Sequence, residues 1–493
     1  MNNEKTLVKN SIYYTASTLI CMVIPLVIYP YVVRVLGPEN YGKVSFALNL
    51  VTYFTLLAAL GIRQYAQKIC TVTKDPKELA RVLKTLMTIA GVLTAVSTII
   101  YTVVVFFLDV GKTEIWLYVF FAGMILTSSL SMDWFIIAKE NFAFVSARNT
   151  FTRLLLPLLT FIFVRDKGDY PIYALVYVLS YSVFAAVMNY VYIGKRKLVN
   201  FNIAKKEKLD LATHLSPIFF LSLVTIGSKI FSGMDIMMLR FLKDDTAVGI
   251  YNNAIKLPLV MDELLMSVAA VITPKLYQAV KNDNVGEAKS LINYASNTML
   301  FFAIPAIFTC IFFSNELIFL IAGKEYLSGS SILVVYSLIM LTTLCLTLGG
   351  TRMFIAKGKE KQLFAFLLLS GAINATLNYL LIPVLGGFGA ALATITANIC
   401  MFIIEATYIK SWGLIFNKEK LKYLVSGGAL CVVFVIIKNC INIDNTLYVL
   451  LLAIAIGGIA YVAASLIVKE MTAIRILNSL VGFAKKFKSR LVK

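Results

Sequence analysis

The chain has 493 residues, 59% of them hydrophobic and 15% charged, with a mean hydropathy of +0.82, too little polar surface to coat a water-soluble fold of that length. Lys and Arg outnumber Asp and Glu by 46 to 26, a net charge of +20; because these charges gather in short gaps between apolar stretches, they argue for a membrane surface and against nucleic acid. The seven cysteines are scattered without a Cys-x-x-Cys pair and His214 is the only histidine, so no disulfide framework, metal site or cofactor is expected.

About fourteen apolar stretches of about 20 residues fill the chain, the length a helix needs to cross ~30 Å of hydrocarbon. They run over 11–33, 43–62, 82–108, 114–138, 143–164, 171–193, 213–240, 247–272, 290–313, 328–355, 361–383, 388–409, 421–441 and 447–468. The first is too long for a cleavable signal peptide and no small-residue cleavage site follows it, so an uncleaved insertion signal is expected. The stretch 143–164 is the weakest, since Arg148 and Arg153 interrupt it. The expected fold is an all-α integral membrane protein.

On this span order about 35 of the 46 Lys and Arg fall on one side of the membrane, the positive-inside bias that places both termini in the cytoplasm. The basic segments 68–84, 195–208 and 469–493 serve orientation and attraction to anionic membrane lipids. In the tail, Ala473, Leu477, Leu480, Ala484, Phe487 and Leu491 fall near helical spacing among lysines, the pattern of a helix lying along the inner leaflet.

Two halves echo each other. Val33-Arg34-Val35-Leu36 followed by Tyr41-Gly42 recurs as Leu239-Arg240-Phe241-Leu242 followed by Val248-Gly249, and Ile137-Ala138-Lys139 recurs as Ile355-Ala356-Lys357. An even number of spans per half puts both halves in the membrane in the same sense. The expectation is two parallel six-helix bundles, 1–200 and 201–410, around a central cavity, with two extra helices and a basic cytoplasmic tail in 411–493.

The stretch Arg34-Val-Leu-Gly-Pro-Glu-Asn-Tyr-Gly-Lys-Val-Ser-Phe-Ala, continuing to Leu60-Gly61-Ile62 and echoed at Tyr251-Asn252-Asn253-Ala254, resembles the Wzx-type flippases of polysaccharide repeat units, those that serve O-antigen and capsule assembly. They belong to the superfamily that also holds multidrug extruders and lipid II flippases. The resemblance implies a flippase of the bacterial cytoplasmic membrane. Its cargo would be oligosaccharide linked to undecaprenyl diphosphate, carried from the cytoplasmic to the outer face by alternating access. It implies as partners the lipid-linked oligosaccharide, a coupling ion (H+ or Na+) and other polysaccharide-assembly membrane proteins, and no enzymatic step.

A charged side chain at midmembrane costs about 2.5–3.5 kcal/mol on insertion scales, so each needs a partner, a wet cavity or a function. Lys229 sits midway along the seventh span, with Ser232 and Gly233 on its face. Lys256 shares a stripe of the eighth span with Asn252, Asn253 and Glu263. Lys229 and Lys256 are therefore candidates to neutralise a diphosphate, and Asn49, Asn252 and Asn253 to bond sugar hydroxyls; ion pairs of Lys256 with Glu263 and of Lys229 with Asp235 are the structural alternative.

Arg34 and Arg240, equivalent in the repeat, suit interfacial anchoring or guidance of a departing phosphate. Arg63, Asp133, Arg148, Arg153 and Arg352 gather at inner span ends, where topology and ion pairing account for most of them and Arg148 is a further substrate contact. Glu263 and Asp133 are candidates for ion coupling, and Glu405, near Lys410, reads as a snorkelling surface residue. A drug extruder of the same superfamily is the first rival, disfavoured by cationic lumen candidates. A membrane polysaccharide polymerase or glycosyltransferase is the second, disfavoured by outside loops of about 15 residues or fewer.

Overall fold

In hydrocarbon the backbone N–H and C=O groups have no water to bond, so a chain this apolar satisfies them inside helices. The computed structural model describes residues 2–108, 114–198, 209–219, 233–415, 417–440, 445–479 and 482, among which there are helices and no strand. Ten helical stretches among the described residues are long and apolar enough to cross a membrane. Phe106 and Ile467, each 80% exposed or more, stand on outward faces that water would not tolerate and acyl chains would cover. The protein is an all-helical, multi-pass membrane protein.

The chain divides into two compact units, 1–249 and 250–493. In the first, α1 (Asn2–Ala59) joins what the sequence reads as the first two spans. Where that reading expects a loop between them, the helix is broken only at Gly37 (φ 72, ψ 171), with Pro38 starting the second leg. That backbone position is open to glycine and strained for any other residue.

After α1 come α2 (Ile62–Val72), α3 (Pro76–Phe107), α4 (Ile115–Ser128), α5 (Asp133–Ala138), α6 (Phe142–Phe163), α7 (Tyr170–Val178) and α8 (Phe184–Lys195). Helix α1 packs against α3, α4 and α6. One core gathers Ile62, Ala66 and Cys70 of α2, Leu83 and Leu86 of α3, and Trp134 to Ile136 of α5. Ile218, from a helix over 211–219, completes it, and in that helix His214 Nδ1 lies 2.6 Å from the Tyr65 hydroxyl.

Helix α9 (Met234–Leu242) returns to α1, with Phe241 edge-on to Phe46 at 5.8 Å. The chain then turns at Lys243 and Asp244 into α10 (Asp245–Lys281), which leads into the second unit. The second leg of α1 crosses the first turn of α10 at the two glycines of the repeat. A Cβ at Gly42 would collide with the carbonyl oxygen of Asp245, and a Cβ at Gly249 with that of Pro38. The sequence echo at these positions is thus also a spatial one.

The second unit continues with α11 (Val285–Phe312), α12 (Ser314–Ala322), α13 (Ser330–Tyr336), α14 (Ile339–Cys345), α15 (Arg352–Ala356), α16 (Glu360–Leu385), α17 (Gly387–Ile409), α18 (Trp412–Ile415), α19 (Leu421–Cys440) and α20 (Thr446–Ile467). Antiparallel α16 and α17 pack along their length, as do α19 and α20. Phe301 and Ile304 of α11, Phe434 of α19 and Tyr461 of α20 share one core, so the two C-terminal spans are packed into this unit. Glu470 anchors the start of the tail: its carboxylate accepts hydrogen bonds from the Tyr423 hydroxyl and from the Thr472 and Ala473 amides.

Candidate functional site: a cationic cavity in the first unit

The weakest span of the sequence reading forms the wall of a cavity of about 530 Å³. In α6 the residues Arg148, Asn149, Thr152 and Arg153 recur at helical spacing and all face it, together with Arg63 of α2, Asp133 of α5 and Asn189 of α8. The turn Leu179–Val183 between α7 and α8 is π-helical and contributes Tyr181 and Ser182. An extra residue in one turn re-aims side chains that an α-helix would send elsewhere.

Arg148 is 4% exposed and every arm of its guanidinium is used. It pairs with the Asp133 carboxylate, donates to Asn189 Oδ1 at 2.6 Å and reaches Asn149 Oδ1 through Nη2 at 2.7 Å. Asn189 in turn donates to the Ser131 carbonyl at 2.8 Å. Asp133 opens α5 directly after Met132, which sits in the left-handed region (φ 53), and it is clasped from the other side by Arg63 at 3.1 Å. A buried guanidinium needs this full set of acceptors to offset its lost hydration.

Arg153 is held differently: its guanidinium lies over the Tyr181 ring, 3.8 Å from the centroid, and Tyr181 stacks on Tyr177 at 4.5 Å. A cation resting on an aromatic face keeps its hydrogen-bond donors free for an incoming acceptor. Three guanidiniums against one carboxylate leave the cavity with two positive charges. Thr55, Thr127, Ser128, Ser131 and Thr152 add hydroxyls to the lining. The arrangement can receive an anion of phosphate type with polar groups attached to it.

The other candidates from the sequence are spread out. Asn49 donates from Nδ2 to the Gly233 carbonyl at 3.3 Å and so holds the start of α9. Arg240 is paired to Asp245 at 2.5 Å and lies over the Phe46 ring. Arg34 is exposed on α1 just before the Gly37 break.

In the second unit Asn253 is buried, Asn252 half-buried, and Lys256 and Glu263 exposed along α10, where Lys256 feels the charge of Glu263. Lys229 lies outside the described residues. Of the predicted set, Arg148 and Asp133 are brought into direct contact, and Arg63 and Arg153 join them in one cavity.

Sequence reasoning passed over Asn149, Asn189 and Tyr181, which carry no charge. The usable signal was an amide or a phenol inside an apolar span, which needs a partner there. It also passed over Asp262, the buried neighbour of Glu263, whose carboxylate accepts from Thr343. Glu405 departs from its expected place: it is fully buried, not snorkelling, and neither carboxylate oxygen has a hydrogen-bond partner among the described residues.

Membrane-length helices with a positively charged polar cavity among those of the first unit define a polytopic membrane protein. The sequence matches the family described as polysaccharide biosynthesis protein over residues 7–280, and the chain belongs to that family. It is similar to a protein assigned as O-antigen transporter in Escherichia coli (strain K12), with 22% identity over 81% of this chain and 95% of that one. Its fold resembles the lipid II flippase MurJ in an inward closed conformation, with a TM-score of 0.72, 17% identity and coverage of 92% of this chain and 98% of the other. It also resembles an inward-facing multidrug resistance MATE family transporter, with a TM-score of 0.58, 14% identity and coverage of 79% and 94%.

Proposed function

We propose that the protein is a flippase of the bacterial cytoplasmic membrane, with both termini in the cytoplasm. It carries undecaprenyl-diphosphate-linked oligosaccharide repeat units from the cytoplasmic to the outer face by alternating access and makes or breaks no covalent bond. The observation that carries this reading is the cavity with two net positive charges walled by α6 and the 179–183 turn. Family membership and the transporter and flippase relatives support it.

The barrier to be removed is desolvation. Each sugar hydroxyl taken into hydrocarbon without a partner costs about 1–3 kcal/mol, and an ionised phosphate far more. Arg153 and Arg63 meet the phosphates, Arg148 and Asp133 keep the site in shape, and the threonine and serine hydroxyls replace water around the first sugar. The acyl tail stays in the bilayer. Lys229, Lys256, Asn252 and Asn253 are candidates for a later station of the same headgroup. A multidrug extruder for cationic compounds is the second reading, and the charge of the cavity argues against it.

The test is reconstitution of the full chain in liposomes with a fluorescent undecaprenyl-diphosphate sugar, scoring its transfer between leaflets. Arg153→Ala or Arg63→Ala should slow transfer by about 10–100-fold, the value of one charge-assisted contact of about 1.5–3 kcal/mol. Wild-type transfer rates in both variants would remove the cavity from the mechanism.

A further inference from the structure

Glu405 lies in the last turn of α17 and has 0% of its surface exposed. Both of its carboxylate oxygens lack a hydrogen-bond partner among the described residues. What covers it is a second π-helical turn, Leu346–Thr351, between α14 and α15. Gly350 faces the carboxyl so closely that a Cβ there would collide with Oε2, and Gly349 gives way likewise to Phe402 and Ile415. Gly350 thus makes room for an acid side chain in an apolar wall, and Gly349 lets the same turn close on its neighbours.

The charges on the surrounding elements are used elsewhere. Arg352, at the start of α15, donates to the Thr273 hydroxyl. Lys420 donates to the Leu414 and Ile415 carbonyls, and burial pulls its ammonium down to about 8. Lys359 lies over the Tyr408 ring at 4.8 Å, and Lys410 caps α17. On α16, Glu360 and Lys361 are exposed at its start, and Cys345 is half-buried in α14. None of them bonds either Glu405 oxygen.

We propose that Glu405 is a proton-binding site, occupied in this state, whose loading and unloading is coupled to the transport cycle. The proposal rests on the transporter reading only for the coupling. An ionised carboxylate here would lose its hydration with neither a counter-charge nor a donor in return, so the group is held as the neutral acid. The step is a simple one: a proton from the water phase joins the carboxylate oxygen, and the same O–H bond breaks when the site opens to water. The π turn supplies the opening, because a π turn and an α turn differ by one residue of register, and a shift between them moves Gly350 off the carboxyl.

Two measurements on the full chain test this. Infrared difference spectra of wild type against Glu405→Gln should show the C=O band of a neutral carboxylic acid lost in the variant; its absence from the wild type overturns the proposal. In the liposome assay, one pH unit across the membrane should shift the steady-state leaflet distribution about tenfold for each coupled proton. Glu405→Gln should flip with no dependence on the gradient, while Lys420→Arg, which fixes the charge of the ammonium at the start of α19, should keep it.

Robust wild-type flipping without gradient dependence, or full dependence in Glu405→Gln, overturns the coupling and leaves the flippase reading standing. No flipping by wild type sinks that reading, while loss of the acid band in Glu405→Gln still supports the proton site. Should Glu405→Gln fail to fold, Glu405→Asp replaces it, with the band expected to shift in frequency; an unshifted band counts against the assignment.

Discussion

Arg148 and Arg153 stand five residues apart on one helix and do opposite work. Arg148 spends every donor on Asp133, Asn149 and Asn189, so Arg148→Ala should leave the buried Asn189 oxygen without its donor, weaken the hold on Asp133 and destabilise the protein by about 1–3 kcal/mol, read as a drop in the thermal unfolding midpoint in detergent. Arg153 rests on a ring with its donors available. Arg153→Ala should leave the midpoint within about 1 kcal/mol of wild type while still slowing transfer, so that stability and transport separate between two neighbours. The sequence marked both arginines because a charge in an apolar span is conspicuous. It was silent on Asn189 and Tyr181, whose importance comes from what lies across the cavity from them, and it misplaced Glu405 because Gly350, which makes room for it, is 55 residues away in the chain.

Among the elements, length and hydropathy located all ten membrane-length stretches found among the described residues, against about fourteen expected, since hydrocarbon thickness sets both. The breaks within helices were much less visible. Gly37 divides α1 by a single backbone conformation, and the π turns at 179–183 and 346–351 leave no mark on an apolar pattern. Gly37→Ala should cost about 1–3 kcal/mol, since φ 72 with ψ 171 is strained for any side chain; the thermal midpoint measures it, and an unchanged midpoint would show that the two legs do not need this kink. Deleting one residue from 179–183 should convert that turn to α geometry and withdraw Tyr181 from Arg153. The expected readout is a loss of transfer similar to that of Arg153→Ala.

For the whole molecule, the distribution of Lys and Arg forecasts both termini on the cytoplasmic side. In cells, single cysteines introduced into the 195–208 segment and the 485–493 tail of a cysteine-free variant should resist a membrane-impermeant maleimide until the membrane is opened; labelling of intact cells would reverse the topology. Repetition was legible as two short echoes. That the first of them meets its copy at Gly42 and Gly249 was not, because contact between distant segments has no trace in one chain read alone.

The crossing of Gly42 and Gly249 places two copies of one motif back to back, each excluding a methyl group from the other's backbone. Gly42→Ala and Gly249→Ala should therefore give the same defect, and the double variant should be no worse than either, since once the helices are wedged apart the second methyl meets open space. Such mutual dependence ties the fates of two codons: a side chain gained at either glycine is penalised by the backbone that the other one supplies.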